Sequence, residues 1–120
     1  PYILHCMRVM NAVDQKDEEL MCIAVLHDLL EDCLDQYDTV KLTELGFSHR
    51  VILAVAILTH NKETESYDDY IKSISTNKDA TKVKLADLKD NCDLTRLKGL
   101  RKKDFDRMER YQKAFIYLSN

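Results

Sequence analysis

Glycine and proline are nearly absent from this chain, and their scarcity limits the folds open to it. Two glycines and one proline occur among 120 residues, which leaves little material for the tight turns of an all-β protein. Good helix formers dominate the rest. A chain of this length with 45% hydrophobic and 32% charged residues can bury a real core as one domain. We therefore predict an all-α fold, a compact bundle of six or seven helices.

Apolar periodicity and capping residues divide the chain into helical segments. We expect Asp38, Ser48 and Ser66 to cap three of them, and Gly46 and Gly99 to end two. The segment before His60 is apolar nearly all round, which predicts a helix at the centre of the core. The expected helices span residues 2–13, 18–33, 38–46, 48–58, 66–74, 79–97 and 104–118.

Charge and composition exclude several kinds of partner. The net charge of −3 gives no basic field for nucleic acid, and no apolar run reaches the roughly 20 residues of a membrane span. The four cysteines form no CxxC pair, so we interpret them as small buried hydrophobic residues in a reducing cytoplasm. The chain begins at Pro1 without a methionine, and we expect that a segment preceding it is missing.

The sequence His-Asp-Leu-Leu-Glu-Asp at residues 27–32 carries the functional signal. Residues three and four apart share a helix face, so one face would hold His27, Asp28, Glu31 and Asp32. Unpaired carboxylates at this spacing repel one another. A bound divalent cation would relieve that repulsion, and imidazole with carboxylate suits such a metal.

Two further residues complete a predicted metal site. His5 lies on the inner stripe of the first helix, and Asp87 lies in an apolar stretch where a carboxylate needs a compensating partner. With His27 and Asp28 they would give two imidazoles and two carboxylates, a mixture that favours Mn²⁺, Fe²⁺ or Zn²⁺ over Ca²⁺ or Mg²⁺. An open coordination position would activate a water molecule as a nucleophile.

Three blocks of this sequence resemble a known enzyme family. Residues 1–5 (PYILH), 27–32 (HDLLED) and 83–87 (VKLAD, with Asn91 after it) are similar in order and content to the HD-domain metal-dependent phosphohydrolases. The closest branch is the RelA/SpoT-type ppGpp hydrolases and their small stand-alone versions. The resemblance implies a single HD-type domain over residues 1–120, with the family's N-terminal helix and basic loop absent before Pro1.

The resemblance also implies an activity and a division of roles. The family removes the 3′-pyrophosphate from guanosine tetra- or pentaphosphate with Mn²⁺. His5, His27, Asp28 and Asp87 match its metal ligands. Glu31 and Asp32 match its catalytic acids, and Asn91 matches a nucleotide-contacting asparagine.

The chain departs from that family at two positions. Cys6 stands where the hydrolases commonly have proline, and Asp93 stands where a basic residue is expected after Asn91. Phosphate binding would then need other cations, and we nominate Arg8 and Lys62 as substrate-binding residues.

Other interpretations stay open at the level of sequence. The chain could be an HD-class nucleotidase or nucleotide pyrophosphatase with another substrate, or a metal- or nucleotide-binding regulatory domain without turnover. His60 could line a cleft or only end a helix. Tyr67 and Tyr70 are expected to pack, and Asp90 and Asp93 to be solvated or paired with Lys89 and Arg96.

Overall fold

The computed structural model describes residues 2–33, 36–93, 95 and 99–120. Within these ranges the protein is built from helices, with no strand, which confirms the prediction of an all-α bundle. Seven helices have six or more residues, and one is a single turn. They are α1 (Tyr2–Ala12), α2 (Glu18–Leu26), α3 (Leu29–Asp32), α4 (Thr39–Glu44), α5 (His49–Leu58), α6 (Tyr67–Ser75), α7 (Lys78–Asn91) and α8 (Lys102–Ser119).

Side-chain caps fix where most of the helices begin. The side chains of Asp38, Ser48 and Ser66 accept hydrogen bonds from backbone N–H groups at the starts of α4, α5 and α6, as predicted. Asp17 and Asn77 cap α2 and α7 in the same way. Each cap satisfies an N–H group that has no partner inside its helix. Because these contacts are local, the sequence could predict three of the five caps; α7 begins at Lys78 after Asn77 rather than at the predicted residue 79.

The predicted helix over residues 18–33 is wrong, because it breaks at His27 and Asp28. The ring Nδ1 atom of His27 lies 2.6 Å from the backbone oxygen of Ala24. In an unbroken helix that oxygen would accept the N–H of Asp28. The chain restarts as the single turn α3, with Asp28 at its N-cap position. Glu31 therefore does not share one regular helix with His27.

The predicted helix over residues 79–97 is also too long. Helix α7 ends at Asn91, and the side chain of Asp93 accepts hydrogen bonds from the backbone and hydroxyl of Thr95. Local bonds of this kind compete with a helix. Gly99 therefore does not end α7, and the predicted helical positions Leu94 and Leu97 lie outside the described residues. Gly46 follows the end of α4 as predicted, with a positive φ of 93° that suits glycine.

Helix α7, rather than α5, lies at the centre of the bundle. It packs against α1, α2, α5, α6 and α8, and its Val83 and Leu88 are fully buried. In α5, Val55 is fully buried whereas Leu53 is 43% exposed, so one face of α5 meets solvent. The prediction that α5 occupies the centre of the core is therefore wrong. The central position of α7 places Asp87 deep in the molecule.

The cysteines are less buried than expected. Only Cys6 is fully buried, Cys22 is exposed, and Cys33 and Cys92 are partly buried. All four are free thiols. The exposed position of Cys22 contradicts its predicted place in the core, because that side of α2 faces outward.

An ionic cluster around Arg50 ties three helices together on their outer side. The guanidinium of this α5 residue contacts Asp17 at 2.7 Å, Asp79 at 2.8 Å and Glu19 at 3.1 Å. Hydrogen bonds from Arg50 lower the pKa of both Asp17 and Asp79. None of the described helices is long and apolar enough to cross a lipid bilayer.

Candidate metal centre

Four residues from separate parts of the chain meet where α1, α2 and α7 pack together. His5 comes from α1, His27 and Asp28 from the break after α2, and Asp87 from α7. One ligand atom of each lies within 4.8 Å of the others. This group could hold a metal ion, which is the arrangement that the sequence predicted.

The buried carboxylate of Asp87 is the middle of the group. Its Oδ1 atom lies 2.9 Å from Nε2 of His5 and 3.3 Å from Nε2 of His27, and it accepts a hydrogen bond of 3.0 Å from Asn91. Its Oδ2 atom is 3.0 Å from the ammonium of Lys84. Burial alone would raise the pKa of Asp87, but its bonds to both histidines and the charge of Lys84 hold that pKa well below its usual range. Asp87 is therefore an anion that several donors surround.

Both imidazoles present the same ring nitrogen to the centre. The Nδ1 atom of His27 contacts the backbone oxygen of Ala24 at 2.6 Å, and the Nδ1 atom of His5 contacts Asp90 at 2.6 Å. When Nδ1 carries the proton, the lone pair on Nε2 is left to bind a metal. Imidazole ligands in metalloproteins ordinarily have such an outer partner. The donor set, with two oriented imidazoles and a buried carboxylate, therefore fits a transition-metal ion.

Without a metal, the two histidines hold protons tightly. Burial lowers the pKa of His27, but hydrogen bonds to Asp28 and Asp87 and their negative charge outweigh it and raise the pKa to about 10. A hydrogen bond to Asp87 is the main reason why the pKa of His5 is also raised. The carboxylates attract a cation here, and a proton fills that role when no metal does.

The candidate metal centre is open to solvent at Asp28. The carboxylate of this residue is 3.2 Å from Nε2 of His27, and its side chain is 28% exposed compared with 2% for His27. Glu31 lies beyond it on α3 and accepts a hydrogen bond from the backbone N–H of His60. Desolvation raises the pKa of Glu31. Asp32 lies next to Glu31 and is exposed.

The nominated substrate-binding residues differ in their surroundings. Asn91 lies against Asp87. Arg8 forms an ion pair of 2.8 Å with Asp90 through its Nε atom, and its terminal nitrogens make no hydrogen bond to any described residue. Lys62 lies in the exposed turn after α5 and contacts none of the four candidate ligands in the part of the chain that the structure describes.

Two charged residues beside the centre, Lys84 and Asp90, differ from the sequence-based expectations. Lys84 was not among the predicted site residues. Asp90 was expected, like Asp93, to be solvated or paired with Lys89 or Arg96, but its carboxylate contacts His5 and Arg8. A signal for both was present, because Lys84 and Asp90 are each three positions from Asp87 and therefore share its helix face. Arg96, one of the two predicted partners, lies outside the described residues.

An aromatic cluster that includes His60 and Tyr70 lies next to Glu31, beside the candidate centre. The rings of His60 and Tyr70 are stacked with centroids 4.5 Å apart, and the ammonium of Lys84 lies 5.2 Å from the Tyr70 ring. The Tyr70 hydroxyl donates to the backbone oxygen of Leu58. The hydroxyl of Tyr67 is buried without a hydrogen-bond partner among the described residues. Both tyrosines pack in or against the hydrophobic core, as expected, and His60 belongs to this aromatic cluster.

No known protein family matches this chain, and no curated protein is significantly similar to it.

Proposed function

We propose that this protein is a metal-dependent phosphohydrolase that removes the 3′-pyrophosphate from guanosine tetra- or pentaphosphate. The observation that carries the proposal is the convergence of His5, His27, Asp28 and Asp87 within 4.8 Å. Two imidazoles and two carboxylates suit a catalytic divalent ion better than a structural one, since the Asp28 side faces solvent. The proposed substrate follows from the resemblance of the three sequence blocks to the ppGpp hydrolases.

The four residues would hold Mn²⁺, with Fe²⁺ or Zn²⁺ as alternatives. When bound, such an ion supplies a Lewis acid that polarises a phosphoryl group and lowers the pKa of water. The protein's part is to orient the ligands. Asp87 is held by Lys84 and Asn91, so its carboxylate keeps one orientation.

Glu31 and Asp32 would act as the acid–base pair. A general base works best when its pKa approaches the working pH, and the raised pKa of Glu31 moves it in that direction. The backbone N–H of His60 donates to one carboxylate oxygen of Glu31, and the other oxygen would be available to orient a water molecule. Asp32, exposed beside it, would receive the proton or deliver it to solvent.

Asn91, Arg8 and Lys62 would bind the nucleotide and its phosphates. Asn91 is near the centre through its bond to Asp87. Arg8 is half exposed and contacts Asp90 through Nε, so its terminal nitrogens would be available to bind an anion. Lys62 is exposed two residues after His60. These cations offset substrate charge that the net charge of −3 would otherwise repel.

A hydrolysis assay with ppGpp and Mn²⁺ tests the proposal. The protein should release pyrophosphate, and Asp28→Ala and Glu31→Gln should each lower kcat at least about 100-fold. Glu44→Gln is the matched control, because Glu44 is an exposed carboxylate on α4. Equal rates for Glu31→Gln and the control would contradict the role of Glu31. If the metal-loaded wild type releases no pyrophosphate, the proposed substrate is wrong.

A second candidate is hydrolysis of a different nucleotide by the same centre. Asp93, exposed just beyond Asn91, occupies the place of an expected cation, which weakens the case for a highly charged guanosine substrate. A panel of nucleoside mono-, di- and triphosphates separates the two candidates. Metal binding with no turnover on any nucleotide would instead indicate a regulatory binding domain.

A further inference from the structure

We propose that Asp90 is a positioning residue of the metal centre, which orients His5 and is itself held by Arg8. This inference rests on the metal centre of the proposed function. It adds two residues that act through His5 rather than on the ion. It also gives Arg8 a task beyond contact with phosphate.

The three side chains form a continuous chain of short contacts. The Nδ1 atom of His5 lies 2.6 Å from Oδ2 of Asp90, and the Nε atom of Arg8 donates to Oδ1 of the same carboxylate at 2.8 Å. The side chains of His5 and Asp90 are only 12% and 14% exposed. Since each carboxylate oxygen has a different partner, the Asp90 carboxylate cannot rotate without losing a charge-assisted hydrogen bond.

The contact at Nδ1 decides what His5 can do at Nε2. A neutral imidazole carries its proton on one nitrogen and offers the other as a lone pair. The Asp90 carboxylate favours the proton on Nδ1, so the lone pair is on Nε2, which lies 2.9 Å from Asp87 at the candidate centre. A carboxylate partner also makes the imidazole a more basic, stronger ligand.

The other histidine is held differently. The Nδ1 atom of His27 contacts a backbone oxygen, that of Ala24, and no substitution removes this oxygen. His5 depends instead on a side chain. The strength of the centre can therefore be altered through Asp90 without changing any of the four candidate ligands.

The positions of Arg8 and Asp90 explain why they meet. Arg8 is three residues after His5 on α1, and Asp90 is three residues after Asp87 on α7, so each lies on the face of its helix that bears a candidate ligand. The pair therefore joins α1 to α7 one turn from the centre. A purely structural role would tie the helices together but leave metal affinity unchanged, and this difference can be measured.

Metal titration without substrate tests the inference. Free Mn²⁺ is followed by its electron paramagnetic resonance signal during titration of wild type, Asp90→Ala, Asp90→Asn and Arg8→Met. We expect Asp90→Ala to weaken Mn²⁺ binding about 10- to 100-fold. Asp90→Asn should lose less, since its amide oxygen still accepts from Nδ1, and Arg8→Met should lose less than about tenfold. Glu109→Ala, which breaks an exposed ion pair with Lys113 on α8, is the control and should leave the affinity unchanged.

The outcomes separate the two proposals. If wild type binds Mn²⁺ and Asp90→Ala binds it equally well, the positioning role is wrong and the metal centre stands. A lower melting temperature of metal-free Asp90→Ala with unchanged affinity would likewise overturn the positioning role and leave a structural one. If Asp90→Ala does not fold, Asp90→Asn and Arg8→Met decide, and wild-type affinity in both overturns the inference. If wild type binds neither Mn²⁺ nor Zn²⁺, the metal centre itself is refuted.

Discussion

Raising the pH should strengthen metal binding, because protons compete with the metal for the two imidazoles. Histidine must be neutral to ligate a metal. In the metal-free protein the bonds to Asp28 and Asp87 outweigh burial and raise the pKa of His27 to about 10. Removing its proton at pH 7 spans about three pH units, at 1.36 kcal/mol each, and therefore costs about 4 kcal/mol of binding free energy.

The expected slope follows from this cost. Between pH 6.5 and 8.5 the apparent affinity for Mn²⁺ should rise about tenfold per pH unit from His27 alone, or roughly 100-fold in total. His5, whose pKa is also raised, adds to the slope. The metal-free fold should show the opposite trend. The raised pKa of His27 contributes stability that is complete below pH 6.5 and is lost as the pH rises through about 10.

Calorimetric titration at pH 6.5, 7.5 and 8.5 in buffers of different ionisation enthalpy measures both the affinity and the protons released. Wild type should release close to one proton or more per metal bound at pH 7.5. His49→Gln is the control, because His49 is exposed at the start of α5, and it should leave the slope unchanged. An affinity that changes less than about tenfold over this range would refute the reasoning, as would metal binding without proton release.

Three substitutions test other parts of the structure. Arg50→Met removes the guanidinium that contacts Asp17 and Asp79 and should lower the urea midpoint of unfolding, by less in 1 M salt since these groups are partly exposed; an unchanged midpoint would contradict this. Tyr67→Phe removes a buried hydroxyl that has no partner among the described residues and should leave the melting temperature equal or higher, and a loss of kcat would instead indicate a substrate contact. Ile74→Ala opens a cavity at a fully buried site on α6 and should cost about 2–5 kcal/mol; a loss below 1 kcal/mol would mean that the core collapses around it.

The helical class and most helix starts could be predicted because they depend on local chemistry. The caps Asp38, Ser48 and Ser66 bond to backbone groups within three residues, so their sequence spacing contains the whole interaction. The lengths of α2 and α7 could not be predicted in the same way. Helix propensity continues past His27, but in the structure the ring of this buried residue contacts the backbone oxygen of Ala24, and local propensity does not indicate that contact.

The candidate ligands were predictable as residue types, and their partners were not. An apolar stretch around Asp87 already indicates a buried carboxylate that needs compensation. Whether Asp90 pairs with Lys89 or with His5 depends on how α1 approaches α7, and periodicity carries no information about that approach. The same holds for Lys84, whose ammonium contacts Asp87 and lies over the ring of Tyr70 from another helix.

By itself, the sequence determined an all-helical domain, its capping residues and a set of imidazoles and carboxylates suited to one cation, since propensity, capping and ligand chemistry reside in single residues or short spacings. The tertiary structure decided that α7 is central and that α2 breaks beside the metal centre. It also decided that the carboxylate of Asp90 contacts both His5 and Arg8. Such contacts join residues more than 80 positions apart. Only the packing of α1 on α7 brings them within hydrogen-bonding distance.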